Sequence, residues 1–205
     1  MKKLIISAKT VKLIGRTFQT ETNFYPIHSG SGCSFIFSGK KLDIILSYSD
    51  NEENHIPECN KPRFAVMVNG KFVIKKVIEK QGERYSLISS NDAVSAKIDV
   101  IKLSEAAFSL GCLSFEADEN AEISPAPSAQ KRIGFIGDSI TCGYGVDDCN
   151  VRSDFSTSAE NAMKSYAYLT AGLLGTEYSL FSYSGHGVIS GWTETGKRNE
   201  AEILP

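Results

Sequence analysis

The stretch Ile-Gly-Phe-Ile-Gly-Asp-Ser-Ile-Thr, residues 133–141, decides the fold of the second half of the chain. A short apolar run that ends at a glycine is typical of a buried parallel strand at the start of an α/β unit. Gly137 permits a tight turn with little steric cost. Because α/β ligand sites form at the carboxyl ends of parallel strands, the stretch predicts that the Ser139 hydroxyl emerges at the tip of this strand.

The residues that follow predict a strand–helix–strand unit. Residues 158–174 have the 3.6-residue apolar period of a helix, and Gly175 is expected to end it. Residues 177–182 predict the next parallel strand. The predicted buried face of the helix consists of Ala162, Tyr166, Leu169 and Leu173.

The first 123 residues have a different character, because short segments rich in β-branched and aromatic residues dominate them. Asn69-Gly70 predicts a tight hairpin turn, since both central positions tolerate positive φ. Strands separated by turn signals predict an antiparallel β-sandwich. Residues 104–110 are expected to form either a short helix or an edge segment. The predicted strands are residues 34–38, 41–46, 63–68, 72–74 and 96–103.

Between the two parts lies Ser-Pro-Ala-Pro-Ser-Ala-Gln, residues 124–130. Two prolines among small residues favour extended backbone and remove hydrogen-bond donors, so this segment is predicted to be a linker. The predicted organisation is a β-sandwich domain over 1–123, a linker over 124–130, and the first part of an α/β domain over 131–205.

Composition excludes several classes of function. The formal net charge of the 205 residues is -2, and Lys and Arg are scattered, which argues against nucleic acid as a partner. No apolar run approaches the roughly eighteen residues of a membrane span, and the N-terminal run is too short for a signal peptide. The chain as written is therefore expected to be cytoplasmic, or secreted if an upstream segment has been removed.

The five cysteines show neither a CxxC pair nor a histidine at zinc-finger spacing, so no metal site is expected. An odd number of cysteines fits free thiols better than a disulfide framework. A bridge between Cys142 and Cys149 is the alternative that the sequence leaves open.

The block Gly137-Asp138-Ser139 resembles the GDS(L) block of the SGNH hydrolases and differs from the Gly-x-Ser-x-Gly elbow. The apolar strand before it and Ile-Thr-Cys-Gly-Tyr-Gly after it (140–145) make it more specific than the bare tripeptide. With a β-rich domain ahead of the block, the chain resembles carbohydrate esterase family 2. Ser-Tyr-Ala-Tyr (165–168) and Ser-Tyr-Ser-Gly-His-Gly (182–187) add to this resemblance. It implies a jelly-roll β-sandwich followed by the first part of a three-layer, flavodoxin-like SGNH hydrolase domain.

The resemblance also implies a reaction, namely the removal of acetyl groups from plant polysaccharides or oligosaccharides. Ser139 would be the nucleophile, and its own amide would be the first oxyanion donor. The Gly185 amide would be the second donor, with Gly187 as the fallback. The family needs no cofactor and no metal. Water would release the acetyl group from an acetyl-Ser139 intermediate.

Three further residues are candidates for contact with the sugar. Trp192 follows the second block, and tryptophan offers an apolar face and a polar N–H to a sugar ring. Tyr144 follows the nucleophile turn, and His186 lies beside the oxyanion glycine. For each of the three, a packing or surface role stays open.

Other polar residues are given structural roles. Asp138 is adjacent to Ser139 and cannot orient a base beyond the hydroxyl, so it is predicted to accept amide hydrogen bonds within the turn. The remaining ones are predicted to be ordinary loop residues: His28, His55 and the solvated aspartates Asp147, Asp148 and Asp154.

Two elements of the superfamily pattern have no match in the sequence: the asparagine of a Gly-x-Asn-Asp block and a late catalytic histidine. Asn199 follows the second block but does not fit the asparagine motif. A serine without a base is a weak nucleophile. We therefore expect residues 131–205 to be the first part of a longer domain, with little or no esterase activity in this polypeptide alone.

Two other functions stay open. In one, the β-sandwich is a carbohydrate-binding module and the hydrolase segment is inert, and glycan binding by residues 1–123 alone would favour this. In the other, the protein is a broader GDSL acyl-esterase or lipase, which needs an apolar acyl pocket. Comparing short and long p-nitrophenyl esters separates the lipase from the acetyl esterase.

Overall fold

The computed structural model describes residues 1–49, 56–105, 109–148, 150, 153–187 and 191. Within these ranges the chain is predominantly β-sheet, as the sequence predicts. No helix in them is both long enough and apolar enough to cross a membrane.

Ten strands form one sheet. They are β1 (Lys2–Lys3), β2 (Lys12–Ile14), β3 (Thr17–Gln19), β4 (Phe24–Pro26), β5 (Gly32–Tyr48), β6 (Arg63–Val68), β7 (Lys71–Val77), β8 (Glu83–Lys102), β9 (Gly111–Ala117) and β10 (Glu122–Pro125). The strand order is β3-β4-β9-β5-β8-β6-β7, with β1 paired to β9 and with β2 and β10 paired to β5. A 3₁₀ turn at Glu58–Asn60 precedes β6.

The centre of this sheet is the antiparallel pair of β5 and β8, which are 17 and 20 residues long. The sequence predicts two strands where β5 is one. Register shifts between Gly39 and Lys41, and between Leu42 and Asp43, interrupt the alternation that the prediction used. The sequence analysis also does not include the first part of β8, residues 83–95. Polar residues at 89–92 separate its apolar residues from the regular alternation at the end of the strand.

The core of the sheet region joins residues that are distant in sequence. It includes Phe24, Phe35, Phe37, Phe64 and Phe115, all of them buried. The rings of Phe35 and Phe115 meet edge to face, with centroids 5.1 Å apart. Such a core supplies most of the apolar burial that stabilises the chain.

Local turn chemistry follows the sequence at the predicted hairpin. Asn69 and Gly70 have φ of 51° and 77°, so the predicted turn between β6 and β7 is confirmed. The predicted linker is partly sheet: Ser124 and Pro125 pair with Ile36 and Phe35. Within the described ranges β10 pairs only with β5, so Pro125 lies on an edge strand, where a missing N–H is tolerated.

The second part of the chain contains a parallel pair, β11 (Arg132–Gly137) and β12 (Glu177–Ser182), with Gly137 opposite Ser182. Between these strands lie α1 (Ser139–Cys142), a 3₁₀ turn at Ala162–Lys164 and α2 (Tyr166–Leu173). Both predicted strands are therefore confirmed as strands. The prediction that the first one is buried is wrong: residues of β11 alternate between exposed and half-buried, and in the described part of the chain β12 is its only strand partner.

The predicted helix over 158–174 is wrong at its start. The Ser165 side chain caps α2 by accepting a hydrogen bond from the Tyr168 amide, so α2 begins at Tyr166. At the other end, Gly175 has φ of 61°, and the Thr176 amide bonds to the Ala171 carbonyl. This is the glycine termination that the sequence predicts.

The predicted buried face of α2 is also wrong. Tyr166, Leu169 and Leu173 are 50%, 52% and 89% exposed, whereas Ala167 and Ala171 are fully buried. The small alanine side chains let the helix backbone approach β12 closely, and this contact decides which face is buried.

Candidate active site

The turn after β11 carries the predicted nucleophile. Ser139 is the first residue of α1 and is partly exposed. The Asp138 carboxylate accepts a hydrogen bond from the Ile140 amide at 3.0 Å, which confirms its predicted role in the turn. A Cβ on Gly137 would lie 2.0 Å from Thr141 Oγ1, so only glycine fits there. The contacts of Gly137 and Asp138, the two residues before Ser139, therefore hold Ser139 at the carboxyl end of β11.

The second block forms a turn at the same edge of the sheet. Because β12 is parallel to β11, both strands end at this edge. The Tyr183 amide donates to the Gly137 carbonyl at 3.2 Å, which ties the two strand ends together. Gly185 has φ of 80°, and the His186 amide closes the turn on the Tyr183 carbonyl at 3.3 Å. Residues 183–187 thus lie beside the nucleophile turn.

One groove of about 390 Å³ lies between these two segments. Its lining residues are Ile136, Gly137, Asp138, Ile140, Thr141, Tyr166, His186 and Gly187. Tyr166 Oη is 3.1 Å from Thr141 Oγ1, so this tyrosine is oriented along the groove wall. Tyr166 is a lining residue that the sequence analysis missed, because the helical period assigned it to the core.

Two backbone amides are available at this edge. In the described part of the chain, neither the Ser139 amide nor the Gly185 amide donates a hydrogen bond to another protein group. The Ser139 amide is one of the unpaired N–H groups at the start of α1. Free, preorganised amides of this kind can stabilise the negative oxygen of a tetrahedral intermediate.

The three predicted sugar contacts have different positions. His186 lines the groove, and its Nδ1 lies 3.2 Å from the Ser184 carbonyl oxygen, which can only accept a hydrogen bond. Tyr144 lies outside the groove: it stacks on Phe155 with ring centroids 4.9 Å apart and lines a smaller pocket. Trp192 lies outside the described residues, as does His55.

Two residues predicted to be ordinary loop residues have specific contacts. Asp147 accepts hydrogen bonds from Arg63 and from Asn161 Nδ2, both at 2.8 Å, and pairs with Lys164. It is therefore an anchor between β6 and the loop after α1, and the prediction of a solvated charge was wrong. His28 packs edge-on against Phe181, with ring centroids 4.9 Å apart.

A residue of the first part of the chain reaches the second block. Glu105 is fully buried, and its Oε2 accepts a hydrogen bond from the Ser184 amide at 2.8 Å. The local sequence indicates no role for Glu105, because its partner Ser184 is 79 positions away. No local pattern could have revealed this contact.

One group of side chains has the composition of a metal site. Ligand atoms of Glu105, Cys142 and Glu160 lie within 4.8 Å of one another. Burial and the neighbouring glutamates raise the pKa of the Cys142 thiol, which favours its neutral form. The Lys102 ammonium also acts on both carboxylates and would repel a cation. Cys142 is a free thiol, and Cys149 lies outside the described residues.

Comparison with known proteins gives consistent matches. Residues 13–127, more than half of the chain, match the family model described as "Carbohydrate esterase 2 N-terminal". An "Acetylxylan esterase / glucomannan deacetylase" from Cellvibrio japonicus is 28% identical, over 94% of this chain and 51% of its own length. The chain therefore spans about half the length of this curated relative.

Solved structures share the fold. A family two carbohydrate esterase from Cellvibrio japonicus superposes with a TM-score of 0.78 at 22% identity, covering 98% of this chain and 57% of that one. A family two carbohydrate esterase from Clostridium thermocellum, in complex with cellohexaose, gives 0.75 at 22% identity, with coverage of 91% and 55%.

Proposed function

Because the chain belongs to carbohydrate esterase family 2, we propose that it removes acetyl groups from carbohydrates with Ser139 as the nucleophile. The observation that carries this proposal is the shared groove: Asp138 and Ile140, on either side of Ser139, line one cleft with His186 and Gly187 of the second turn, at the carboxyl ends of two parallel strands. Ser139 is partly exposed and is not itself among the lining residues. A cleft at this place in a sheet is where α/β proteins bind ligands.

In the proposed reaction, the Ser139 hydroxyl attacks the acetyl carbonyl and passes its proton to a general base. The amides of Ser139 and Gly185 then donate to the developing oxyanion. Collapse of the tetrahedral intermediate expels the sugar oxygen, which takes the proton back from the general base, and leaves acetyl-Ser139. Water then gives a proton to the same base and attacks the acetyl group, which releases acetate and the Ser139 hydroxyl. The proposal assigns the nucleophile and these two donors to described residues, with Gly187 as the alternative second donor, and assigns the general base to none of them.

We propose an acetylated plant polysaccharide or oligosaccharide as the substrate. The curated relative is named for xylan and glucomannan, and one solved structure holds a cellulose oligosaccharide. His186 and Tyr166 line the groove at positions where a sugar ring would lie. Trp192 stays a predicted sugar contact, and Tyr144 is a weaker one because it faces a different pocket.

The finer architecture is part of the proposal. The antiparallel ten-stranded sheet, whose last strand extends to Pro125, is assigned to a jelly-roll sandwich predicted over 1–123, and β11–α2–β12 to part of a three-layer SGNH domain over 131–205. Superposition on a family two esterase along nearly the whole chain supports both assignments. The compartment in which the protein acts stays a prediction.

The test uses the full gene product with acetylated xylan and with p-nitrophenyl acetate and decanoate. Ser139→Ala is expected to lower turnover of the acetyl esters by at least about 10³-fold, since the nucleophile is lost. Ser89→Ala, an exposed serine on β8, is the control and should leave turnover unchanged.

Acetate should be released much faster than decanoate under the proposed function, because only the decanoyl chain needs a long apolar acyl pocket. Turnover that survives Ser139→Ala would refute the nucleophile. Preference for the decanoate ester would favour the acyl-esterase or lipase alternative.

A further inference from the structure

A buried polar cluster lies between the ten-stranded sheet and the parallel strands. Lys102, Glu105, Cys142 and Glu160 form it, and each is fully buried. Burying charged groups costs several kcal/mol unless they are paired and hydrogen-bonded. Because these four residues lie directly behind the nucleophile turn, we expect their burial to serve the geometry of that turn.

Glu105 contacts both halves of the proposed active site with one oxygen atom. Its Oε2 accepts the Ser184 amide at 2.8 Å and lies 3.7 Å from the Cys142 sulfur. Ser184 directly precedes Gly185, the proposed second oxyanion donor. Cys142 is the last residue of α1, the helix that begins at Ser139. The carboxylate thus lies where the two oxyanion segments meet.

The rest of the cluster fixes Glu105 itself. Its amide donates to Glu160 Oε1 at 3.0 Å, and Lys102 Nζ donates to its carbonyl and to that of Ser104, both at 2.8 Å. Burial, and then the nearby Glu105 charge, raise the pKa of Glu160 to about 8. The Lys102 ammonium acts in the opposite direction and limits this rise in the pKa of Glu160.

We propose that Glu105 is a positioning residue of the esterase site. Its carboxylate holds the Ser184–Gly185 turn against α1, so that the amides of Ser139 and Gly185 keep the spacing that the oxyanion needs. This inference rests on the proposed function. It assigns part of the active-site geometry to a residue that follows β8 of the sheet region.

Three substitutions of Glu105, which differ in side-chain length and charge, separate this positioning role from a general need for a buried negative charge. Glu105→Gln keeps an oxygen at the same distance, which can accept the Ser184 amide, but it removes the charge. Glu105→Asp keeps the charge but is one methylene shorter, so its oxygen no longer reaches Ser184. Glu105→Ala removes both. Glu116→Ala, in an ion pair with Arg84 on the sheet surface, is the matched control.

The full gene product is assayed with p-nitrophenyl acetate, and kcat and KM are measured separately. Glu105→Ala is expected to lower kcat by about 10²-fold with KM changed less than about threefold, as for loss of an oxyanion donor. Glu105→Asp should lower kcat by at least about tenfold, because small misplacements of reacting groups are costly. Glu105→Gln should retain kcat within about threefold, and Glu116→Ala should match the unaltered protein.

Thermal unfolding will show whether Glu105→Ala folds. If it does not, a higher kcat for Glu105→Gln than for Glu105→Asp still supports the positioning role. The opposite ranking, or equal kcat in all three variants, would overturn the positioning role. Turnover by Ser139→Ala is measured in the same assay. If Ser139→Ala loses turnover but the Glu105 variants keep the kcat of the unaltered protein, only the positioning role of Glu105 is refuted. Turnover that does not depend on Ser139 refutes the proposed function itself.

Discussion

Gly137 shows how one missing side chain shapes the nucleophile turn. The sequence predicts glycine there for a tight turn, and Asp138 as the acceptor within it. The reason for the glycine is different from the predicted one, because the backbone of Gly137 is not in the left-handed region. The Thr141 hydroxyl occupies the space that a Cβ would need. The turn brings Thr141, four positions later, against Gly137, and the local sequence pattern could not predict this contact.

We predict that Gly137→Ala displaces the Ser139 turn. The added Cβ would lie 2.0 Å from Thr141 Oγ1, so either the turn or α1 must shift. Overpacking of this kind costs about 1–3 kcal/mol of folding free energy, and a shifted serine should lower kcat by about 10²-fold. Thermal unfolding and acetyl-ester hydrolysis measure the two effects.

The matched control for this change is Gly134→Ala in the same strand, where a Cβ would meet no atom within 4 Å. It should change kcat by less than about twofold, since nothing has to move. Equal effects of the two substitutions would contradict the steric account of Gly137.

At the scale of elements, the loop after α1 is fixed by charge. Asp147 in this loop pairs with Arg63 of β6 and with Lys164 of the 3₁₀ turn before α2. Burial by itself would raise the pKa of Asp147, but hydrogen bonds from Lys164, Asn161 and Arg63 outweigh it and lower the pKa to about 2. The sequence could not distinguish Asp147 from its exposed neighbour Asp148, because the distinction depends on long-range contacts.

We predict that Asp147→Asn removes about 2 kcal/mol of folding free energy at pH 7, an order-of-magnitude figure from the lowered pKa. The carboxylate binds protons more weakly in the folded state than in the unfolded state, where the pKa is near 3.8. Its contribution is therefore complete above about pH 4 and declines as the pH falls toward 2. Urea unfolding from pH 7 to 2 measures the difference between the two proteins.

Asp148→Asn makes the same charge change at an exposed site and should shift the unfolding free energy by less than about 0.5 kcal/mol. The free energies of unfolding of Asp147→Asn and of the unaltered protein should converge below pH 4. If their difference stays constant there, the ion pairs of Asp147 are not its source.

At the scale of the whole molecule, the hydrophobic cores of the two parts are unequal. The main cluster draws its buried residues from positions 4–121, all in the sheet region. Among the described residues, the cluster beneath α2 has only Ala162, Ala167 and Leu180 fully buried. A smaller cluster joins the two parts, since Met163 packs against Ala65, Ile101 and Leu103. The division of the chain near residue 124 stays a prediction.

We predict that a polypeptide of residues 1–127 unfolds cooperatively on heating, because it retains the main cluster. A polypeptide of residues 128–205 should show no cooperative transition, since it buries too little apolar surface alone. Circular dichroism during heating measures both. A cooperative transition in 128–205, or its absence in 1–127, would contradict the division.

The sequence predicted what depends on near neighbours: the hairpin at Asn69-Gly70, the capping role of Asp138, the parallel strands and the position of Ser139 at a strand end. It did not predict what depends on distant contacts. The exposed face of α2, the length of β5 and β8, the anchoring of Asp147 and the Glu105–Ser184 hydrogen bond all follow from pairing between segments far apart in sequence. Local periodicity carries no information about such partners.

The central claim is that Ser139 is an activated nucleophile beside the turn at 183–187. Its most direct test is reaction of the full gene product with a fluorophosphonate, which labels activated serines, followed by mass spectrometry of the peptides. We expect one phosphonyl group, on Ser139, with loss of acetyl-ester hydrolysis in proportion to labelling. Labelling of a different serine that abolishes hydrolysis, or full hydrolysis by protein labelled at Ser139, would contradict the account.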